Sequence, residues 1–310
     1  MSNSNPLVSV IVITYNSAKF VLQTLDSVKN QSYKNIELVI SDDGSSDDTV
    51  NACKNWLLEN KERFFSAHII NVDKNSGTPS NCNRGIKLAH GDWVKIIAGD
   101  DLLIENCIEK NLLFALESGS KFIFSNVIRV DDNGHELTGA SQFDLKYFSY
   151  FTSLPSNLQQ AVYCRVPMTI NAPTWFLSME AIKDVGGFDE GYMILEDQTF
   201  IYKYLNRGFN VCFMNELTVK YRIHAASVVK SINSKLANDY LKCFHQYRFK
   251  SLKRQGIIGW YYILFAYIFN MRHIQYNRSR FLYLAYTIVA RIFPRKGSML
   301  YFKLLSYKIR

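Results

Sequence analysis

The chain has 310 residues, of which 48% are hydrophobic and 20% charged, enough apolar material for one large domain with an appendage and too little length for two full domains. Its six cysteines, Cys53, Cys82, Cys107, Cys164, Cys212 and Cys243, stand apart with no CxxC pair, which argues against a zinc ribbon or a disulfide framework and fits a reducing compartment. The net charge of +9 is unevenly spread: residues 1–220 sum to −7 and residues 221–310 to +16, an acidic body with a basic tail.

Met1 to Leu7 is polar and has no basic patch leading into an apolar stretch, so no secretory signal is expected. Val8 to Thr14 is a continuous apolar, β-branched run of strand length, the kind buried on both faces of a parallel sheet. Phe20, Leu22, Leu25 and Val28 then recur at helical spacing, and a second strand is predicted at Ile36 to Ile40, giving a β-α-β unit. A helix is predicted from Asp47 to Lys61, with Ser45 and Ser46 as caps and Asp47 and Asp48 at its positive end. The alternation continues with a strand near His68 to Val72, a helix near Pro79 to His90, a strand at Trp93 to Ala98, a helix from Leu102 to Glu117 and a strand at Phe122 to Val130. Such a sheet holds its ligand at the carboxyl ends of its strands. From Gly139 to Val166 no period is visible, and the structure of that stretch is left open. Helices follow at Met179 to Val185 and Asp197 to Asn206, with strands near Asn210 to Met214 and Leu217 to His224. The tail reads as a basic helix from Asn238 to Gln255, then two apolar, aromatic runs at Ile257 to Met271 and Phe281 to Phe293.

Polar residues capable of chemistry fall at these strand ends. Tyr15 can stack a planar base or simply pack. Asp42-Asp43-Gly44-Ser45 offers carboxylate acceptors for a base N–H or a ribose hydroxyl, and equally makes a turn with a helix cap. Asp100 and Asp101 follow an apolar strand, where a hard divalent cation bridging a diphosphate would relieve their repulsion; a capped helix start is the plainer reading. Glu196-Asp197 follows Gly186-Gly-Phe-Asp-Glu190 and supplies either a general base or an acidic first helical turn. His224 is a further candidate metal ligand or an ordinary surface histidine.

Taken in order, Val8-Ser-Val-Ile-Val-Ile-Thr-Tyr-Asn16, Ile40-Ser-Asp-Asp-Gly-Ser-Ser-Asp47, Asn75-Ser-Gly77, Asn83-Arg-Gly-Ile86, Gly91-Asp-Trp-Val94, Gly99-Asp-Asp101, Gly186-Gly-Phe-Asp-Glu190 and Glu196-Asp197 resemble the pattern of glycosyltransferase family 2 over about residues 7–226. The resemblance implies an α/β GT-A fold, a Rossmann-like, mostly parallel sheet flanked by helices, with a C-terminal helical appendage. It implies a catalytic domain at 1–226, with a nucleotide-binding part at 1–130 and an acceptor part at 131–226, followed by a basic, aromatic-rich tail at 227–310. It further implies an inverting transfer from a nucleotide-sugar donor, with uridine as the expected base, and a divalent cation, Mn2+ or Mg2+. Donor binding would fall to Thr14, Tyr15, Asp43, Arg84 and Asp100, the metal to Asp101 and His224, acceptor contact to Trp175, and catalysis to Asp197 as base with Glu196 orienting the acceptor. Two positions depart from the pattern: Ala98 stands where an aspartate is common, and Cys82 where an arginine is common.

Bacterial members of this family often work on polyprenyl-diphosphate-linked saccharides in O-antigen or capsule synthesis, so a lipid-linked acceptor is implied here too. The tail would then hold a cytoplasmic enzyme on the anionic inner face of the membrane, or it packs its aromatics on the catalytic domain. The apolar run at Ile257 to Met271 is shorter than the ~20 residues of a spanning helix. Nucleic acid is not an expected partner, since no recognition motif accompanies the charge. A nucleotidyltransferase is disfavoured because no glycine-rich, basic loop follows the first strand. A non-catalytic nucleotide-sugar-binding or membrane-binding scaffold is the alternative from another class.

Overall fold

The computed structural model describes residues 5–138, 142–165, 170–224, 234–257, 259–260 and 262–264. The apolar run predicted as the first strand forms β1 (Val8–Thr14), buried along nearly its whole length. It sits between β2 (Ile36–Asp42) and β4 (Trp93–Ala98), and β3 (Ser66–Asn71) pairs outside β2. All three pairings are parallel, so these four strands end on the same edge of the sheet. Helices α1 (Val21–Lys29), α2 (Thr49–Asn60) and α3 (Thr78–Leu88) are the connections. The sheet continues past β4 through β8 (Phe176–Ser178), β6 (Phe122–Val130), β9 (Cys212–Arg222) and β5 (Leu102–Leu103), and β7 (Glu136–Thr138) pairs with β6. β8 is antiparallel to both β4 and β6, while β6 and β9 are parallel, so β9 also delivers its end to the edge shared by β1, β2 and β4. Val8, Val10 and Val12 of β1 share a core with Leu38 and Ile40 of β2, Leu25 and Val28 of α1, and Ile108 and Leu112 of α4 (Cys107–Ser118).

Two compact units are formed, one from residues 1–140, 170–200 and 211–225, the other from 141–169, 201–210 and 226–310. The first carries the sheet. The second contains α5 (Gln142–Thr152), α6 (Ser156–Arg165), α9 (Ser234–Cys243) and α10 (Phe249–Arg254). In it Tyr163 meets Tyr202 edge-on at 4.9 Å, and the Arg248 guanidinium caps Cys164 O at 3.0 Å. α7 (Met179–Val185) belongs to the first unit, and α8 (Glu196–Asn206) begins there.

Three local expectations are corrected. Leu102 and Leu103 are not helical: they pair with Lys220 and Val219 as β5, and the helix starts only at Cys107. Ser45 and Ser46 do not cap α2, because Ser45 turns back to the Asp42 carboxylate and Asp47 accepts from Thr49 N at 3.0 Å instead. The two strands expected after Asn210 are one strand, β9, whose register against β6 shifts around Asn126, where Asn126 Nδ2 donates to Asn215 Oδ1 at 2.7 Å. The expected basic helix is present, running without interruption as α9, a π-helical turn at Phe244–Arg248, and α10. Most of the Ile257 to Met271 run and all of Phe281 to Phe293 lie outside the described residues. None of the six cysteines forms a disulfide, and all but Cys212 are buried.

α3 crosses β1 at a glycine. A Cβ built on Gly85 would lie 2.3 Å from Ile11 Cγ2, so helix and sheet approach too closely for any side chain there. Gly85→Ala is expected to lower the unfolding free energy by about 1–3 kcal/mol, the usual cost of overpacking, read from the urea midpoint at constant m; an unchanged midpoint would contradict this seating of α3.

Candidate active site

Strand register sets the site. Thr14 lies level with Asp42, and Ile13 with Ala98, so the residues after β1, β2 and β4 emerge side by side. Thr14 Oγ1 donates to Asp42 Oδ1 at 2.7 Å, and Asp43 N donates to Thr14 O at 3.0 Å. Tyr15 follows on the rim, 50% exposed, and Asn16 takes a left-handed φ of 50° while its side chain accepts from Ser46 N at 2.8 Å.

Asp43 is almost wholly buried, which obliges the protein to supply donors. It receives Ser76 Oγ at 2.8 Å, Gly77 N at 2.8 Å and the guanidinium of Arg84, whose other arm donates to Ser76 Oγ at 2.7 Å. Arg84 thus reaches from α3 to the end of β2. Asn81, also on α3, accepts from Ser41 Oγ at 2.6 Å and donates to Thr14 O at 3.2 Å, locking the helix to both strand ends.

The adjacent Asp100 and Asp101 divide their roles. Asp101 is 1% exposed; its Oδ1 accepts from Arg222 N at 2.9 Å, and burial, then the Asp100 charge, push its carboxyl well above the usual range. Asp100 retains 31% of its side-chain surface and meets His224 Nε2 at 2.9 Å. The carboxylate presented beside the imidazole is therefore that of Asp100. Arg222, buried at the end of β9, organises this corner. It donates to Asp100 O at 2.8 Å, Asp132 O at 2.7 Å and Gln23 Oε1 at 2.8 Å, and its guanidinium lies 4.5 Å from the Phe20 ring centroid, whose other neighbours include His224 at 5.1 Å.

Glu196 and Asp197 open α8 directly after Leu195, a buried residue with φ of 78°, a conformation that costs an L-residue of this size and is held by its surroundings. Asp197 Oδ1 accepts from Gln198 N at 2.6 Å, whereas Glu196 Oε2 is buried with no hydrogen-bond partner. Burial pushes Glu196 up to about 8, with the Asp197 charge adding to the rise, and pushes Asp197 up to about 6; the two carboxyls titrate as a pair. Tyr221, raised to about 12 by burial, also feels Asp101, Asp100 and Glu196, so one phenol lies within electrostatic reach of both acidic groups. The buried Cys82 thiol is raised by burial and then by the Glu196 charge, with Arg84 and Asp43 also in reach. Trp175 stands apart, 3% exposed, with its ring against Phe122 at 4.8 Å and Phe200 at 5.8 Å.

Ser76, Asn81, Asn83 and Arg222 carry no sequence signal that marks them as site residues. Ser76 and Asn83 occur in the quoted motifs only as letters of a pattern, and Arg222 is two residues from His224, the nearest hint of its role. Among the described residues no three His, Cys, Asp or Glu side chains gather around a metal-sized space. The Asp100–His224 pair supplies one oxygen and one nitrogen, a donor set that suits a divalent cation completing its shell with phosphate and water.

Residues 9–186 match the model of Glycosyl transferase family 2. An uncharacterised glycosyltransferase of Rickettsia typhi is 28% identical over 234 residues, 75% of this chain and 69% of its own length. TuaG of Bacillus subtilis, assigned to teichuronic acid biosynthesis, is 26% identical over 224 residues, 72% of this chain and 81% of its own. Among solved structures, S. aureus TarS 1-349 in complex with UDP-GlcNAc aligns with a TM-score of 0.59 at 18% identity, covering 86% of this chain and 81% of that one. The expected GT-A fold is borne out by this likeness, which concerns the fold alone.

The raised acidic pair has a consequence for stability. The folded chain keeps protons that the unfolded chain releases near its ordinary values of 4.5 and 3.8, so this contribution is present below about pH 4 and is lost as pH rises through about 6 and about 8. The stability of the wild type relative to Glu196→Gln is expected to fall between about pH 5 and about pH 8 in urea titrations; a constant difference would contradict the raised value of Glu196.

Proposed function

The chain belongs to glycosyl transferase family 2, and from that premise we propose that it moves a sugar from a UDP-sugar to a saccharide acceptor during synthesis of a cell-surface polysaccharide. The observation that carries this reading is a part-exposed carboxylate–imidazole pair at the sheet edge and a raised carboxyl pair at the start of α8, both sets within electrostatic reach of the Tyr221 phenol. Relatives support the substrates: TuaG is assigned to a polysaccharide pathway, and TarS was solved with UDP-GlcNAc.

In this reading Tyr15 stacks on the base, while Asp43, with Arg84, shapes the donor pocket from below. Asp100 and His224 would hold a divalent cation, Mn2+ or Mg2+, with Asp101, buried against Arg222, next to them. When bound, the cation supplies electrostatic stabilisation of the charge that grows on the leaving diphosphate. Asp197 accepts the proton of the acceptor hydroxyl as its oxygen bonds to the anomeric carbon from the face opposite the diphosphate. The carbon–oxygen bond to the diphosphate breaks, that oxygen takes the electron pair, and configuration inverts. A carboxylate of ordinary pKa is a weak base, and a value raised to about 6 brings Asp197 closer to the working pH. Glu196 orients the acceptor.

Residues 1–226 serve as the catalytic domain and the tail as a peripheral anchor on the anionic inner face of the membrane, where a polyprenyl-diphosphate-linked acceptor would reside. The charge of the tail supports this, as do the exposed Lys250, Lys253 and Arg254 next to exposed Ile257 and Trp260. Among the described residues no helix is long and apolar enough to cross a membrane.

Asp197→Asn is expected to reduce transfer by at least about 1000-fold while UDP binding with Mn2+, read by calorimetry, changes less than about 3-fold. Transfer by the wild type, followed by mass spectrometry over a panel of UDP-sugars and polyprenyl-diphosphate acceptors, should rise with pH across the window from about 6 to about 8 in which the pair ionises. A fully active variant would remove Asp197 from the base role.

A further inference from the structure

α3 is bonded on one side to the segment around Asp43 and on the other to the segment that ends at Glu196-Asp197. On the first side, Asp43 accepts from Gly77 N at 2.8 Å, just before the helix, and from Arg84 within it. On the second side, Thr78 N donates to Met193 O at 3.0 Å, one residue along from the Gly77 amide that is committed to Asp43. The approach is close: Gly77 has φ of 95°, and a Cβ there would meet Met193 O at 2.7 Å.

Asn83 makes the second attachment. Its Oδ1 accepts from Phe188 N at 2.9 Å and its Nδ2 donates to Phe188 O at 3.0 Å, so one amide side chain satisfies both backbone groups of a residue outside any helix or strand. The same Nδ2 donates to Glu190 Oε1 at 2.7 Å. Gly187 leaves room for this grip, since a Cβ there would lie 2.8 Å from Asn83 Oδ1. Residues 188–195 are therefore pinned near both ends of a short span, at Phe188 by Asn83 and at Met193 by Thr78, and the chain passes through the strained Leu195 into Asp197.

We propose that Asn83 is a positioning residue for transfer, and that α3 is the link through which a nucleotide held beside Asp43 and Arg84 sets the placement of Asp197. The inference rests on the reading of Asp197 as the base. A change at Asn83 alters the placement of the base without touching the groups around the donor, so turnover and donor affinity separate. A misplacement of about 1 Å is enough to cost about 100-fold in rate.

Hydrogen exchange in the ligand-free protein tests the link without any donor: in Asn83→Ala the amides of residues 188–195 should exchange at least about 10-fold faster, with those of β1 and β2 unchanged. In transfer assays the same variant should lose about 10- to 100-fold in kcat with donor KM within about 3-fold. Asn83→Asp alone, which sets a second carboxylate against Glu190, should be as poor. Combined with Glu190→Gln it should recover part of the kcat, because the amide introduced at 190 can donate to the carboxylate introduced at 83 and so restore that contact in the reverse direction. Unchanged loop exchange in Asn83→Ala, or kcat and KM moving together with no recovery in the double variant, would overturn the proposal. Absence of transfer by the wild type with every UDP-sugar would instead count against the functional reading, and the exchange measurement would still decide the link.

Discussion

A carboxylate removed from water must be met by protein donors, or its burial costs more than the fold can offset. Asp43 is such a group, and the way it is met arranges much of the site. Its donors come from the turn at Ser76 and Gly77 and from Arg84 on α3, so satisfying one charge fixes the end of β2, the entry to the helix and the helix itself relative to one another. Once α3 is fixed, Asn81 ties it to Thr14 and Ser41, while Thr78 and Asn83 hold the approach to Asp197. In the proposed reading the donor side and the acceptor side are then tied to one helix, which suits a reaction needing both reactants within a fraction of an ångström.

The same constraint recurs with opposite sign at the end of β9. Arg222 is a buried cation whose guanidinium is met by backbone carbonyls and the Gln23 amide, while its own N–H meets the Asp101 carboxylate. That exchange holds Asp101 inside and turns Asp100 toward His224. Two adjacent acidic residues thereby acquire different surroundings, one buried against Arg222 and one beside the imidazole, as environment rather than residue type decides what a carboxylate does.

Much of the fold was legible because it is written in local patterns. The apolar runs at Trp93 to Ala98 and Phe122 to Val130 became strands with those bounds, and Met179 to Val185 became a helix with those bounds. The ordered motifs carried the family. What could not be read depends on partners far along the chain. Leu102 and Leu103 fit a helix by spacing and are drawn into the sheet by residues 219 and 220. Which of Asp100 and Asp101 faces outward is set by Arg222, more than a hundred residues away, and the task of Asn83 is set by Phe188. Trp175 looked like a ring for an acceptor, but its neighbours Phe122 and Phe200 enclose it.

In the proposed reading the edge shared by β1, β2, β4 and β9 binds a nucleotide diphosphate through a cation that Asp100 and His224 would hold. Crystals grown with UDP and Mn2+ and measured at the manganese edge address it directly. An anomalous peak bonded to the Asp100 carboxylate and the His224 imidazole is expected, with the uracil against Tyr15. A peak at any other group of side chains, or UDP bound away from this edge, would contradict it.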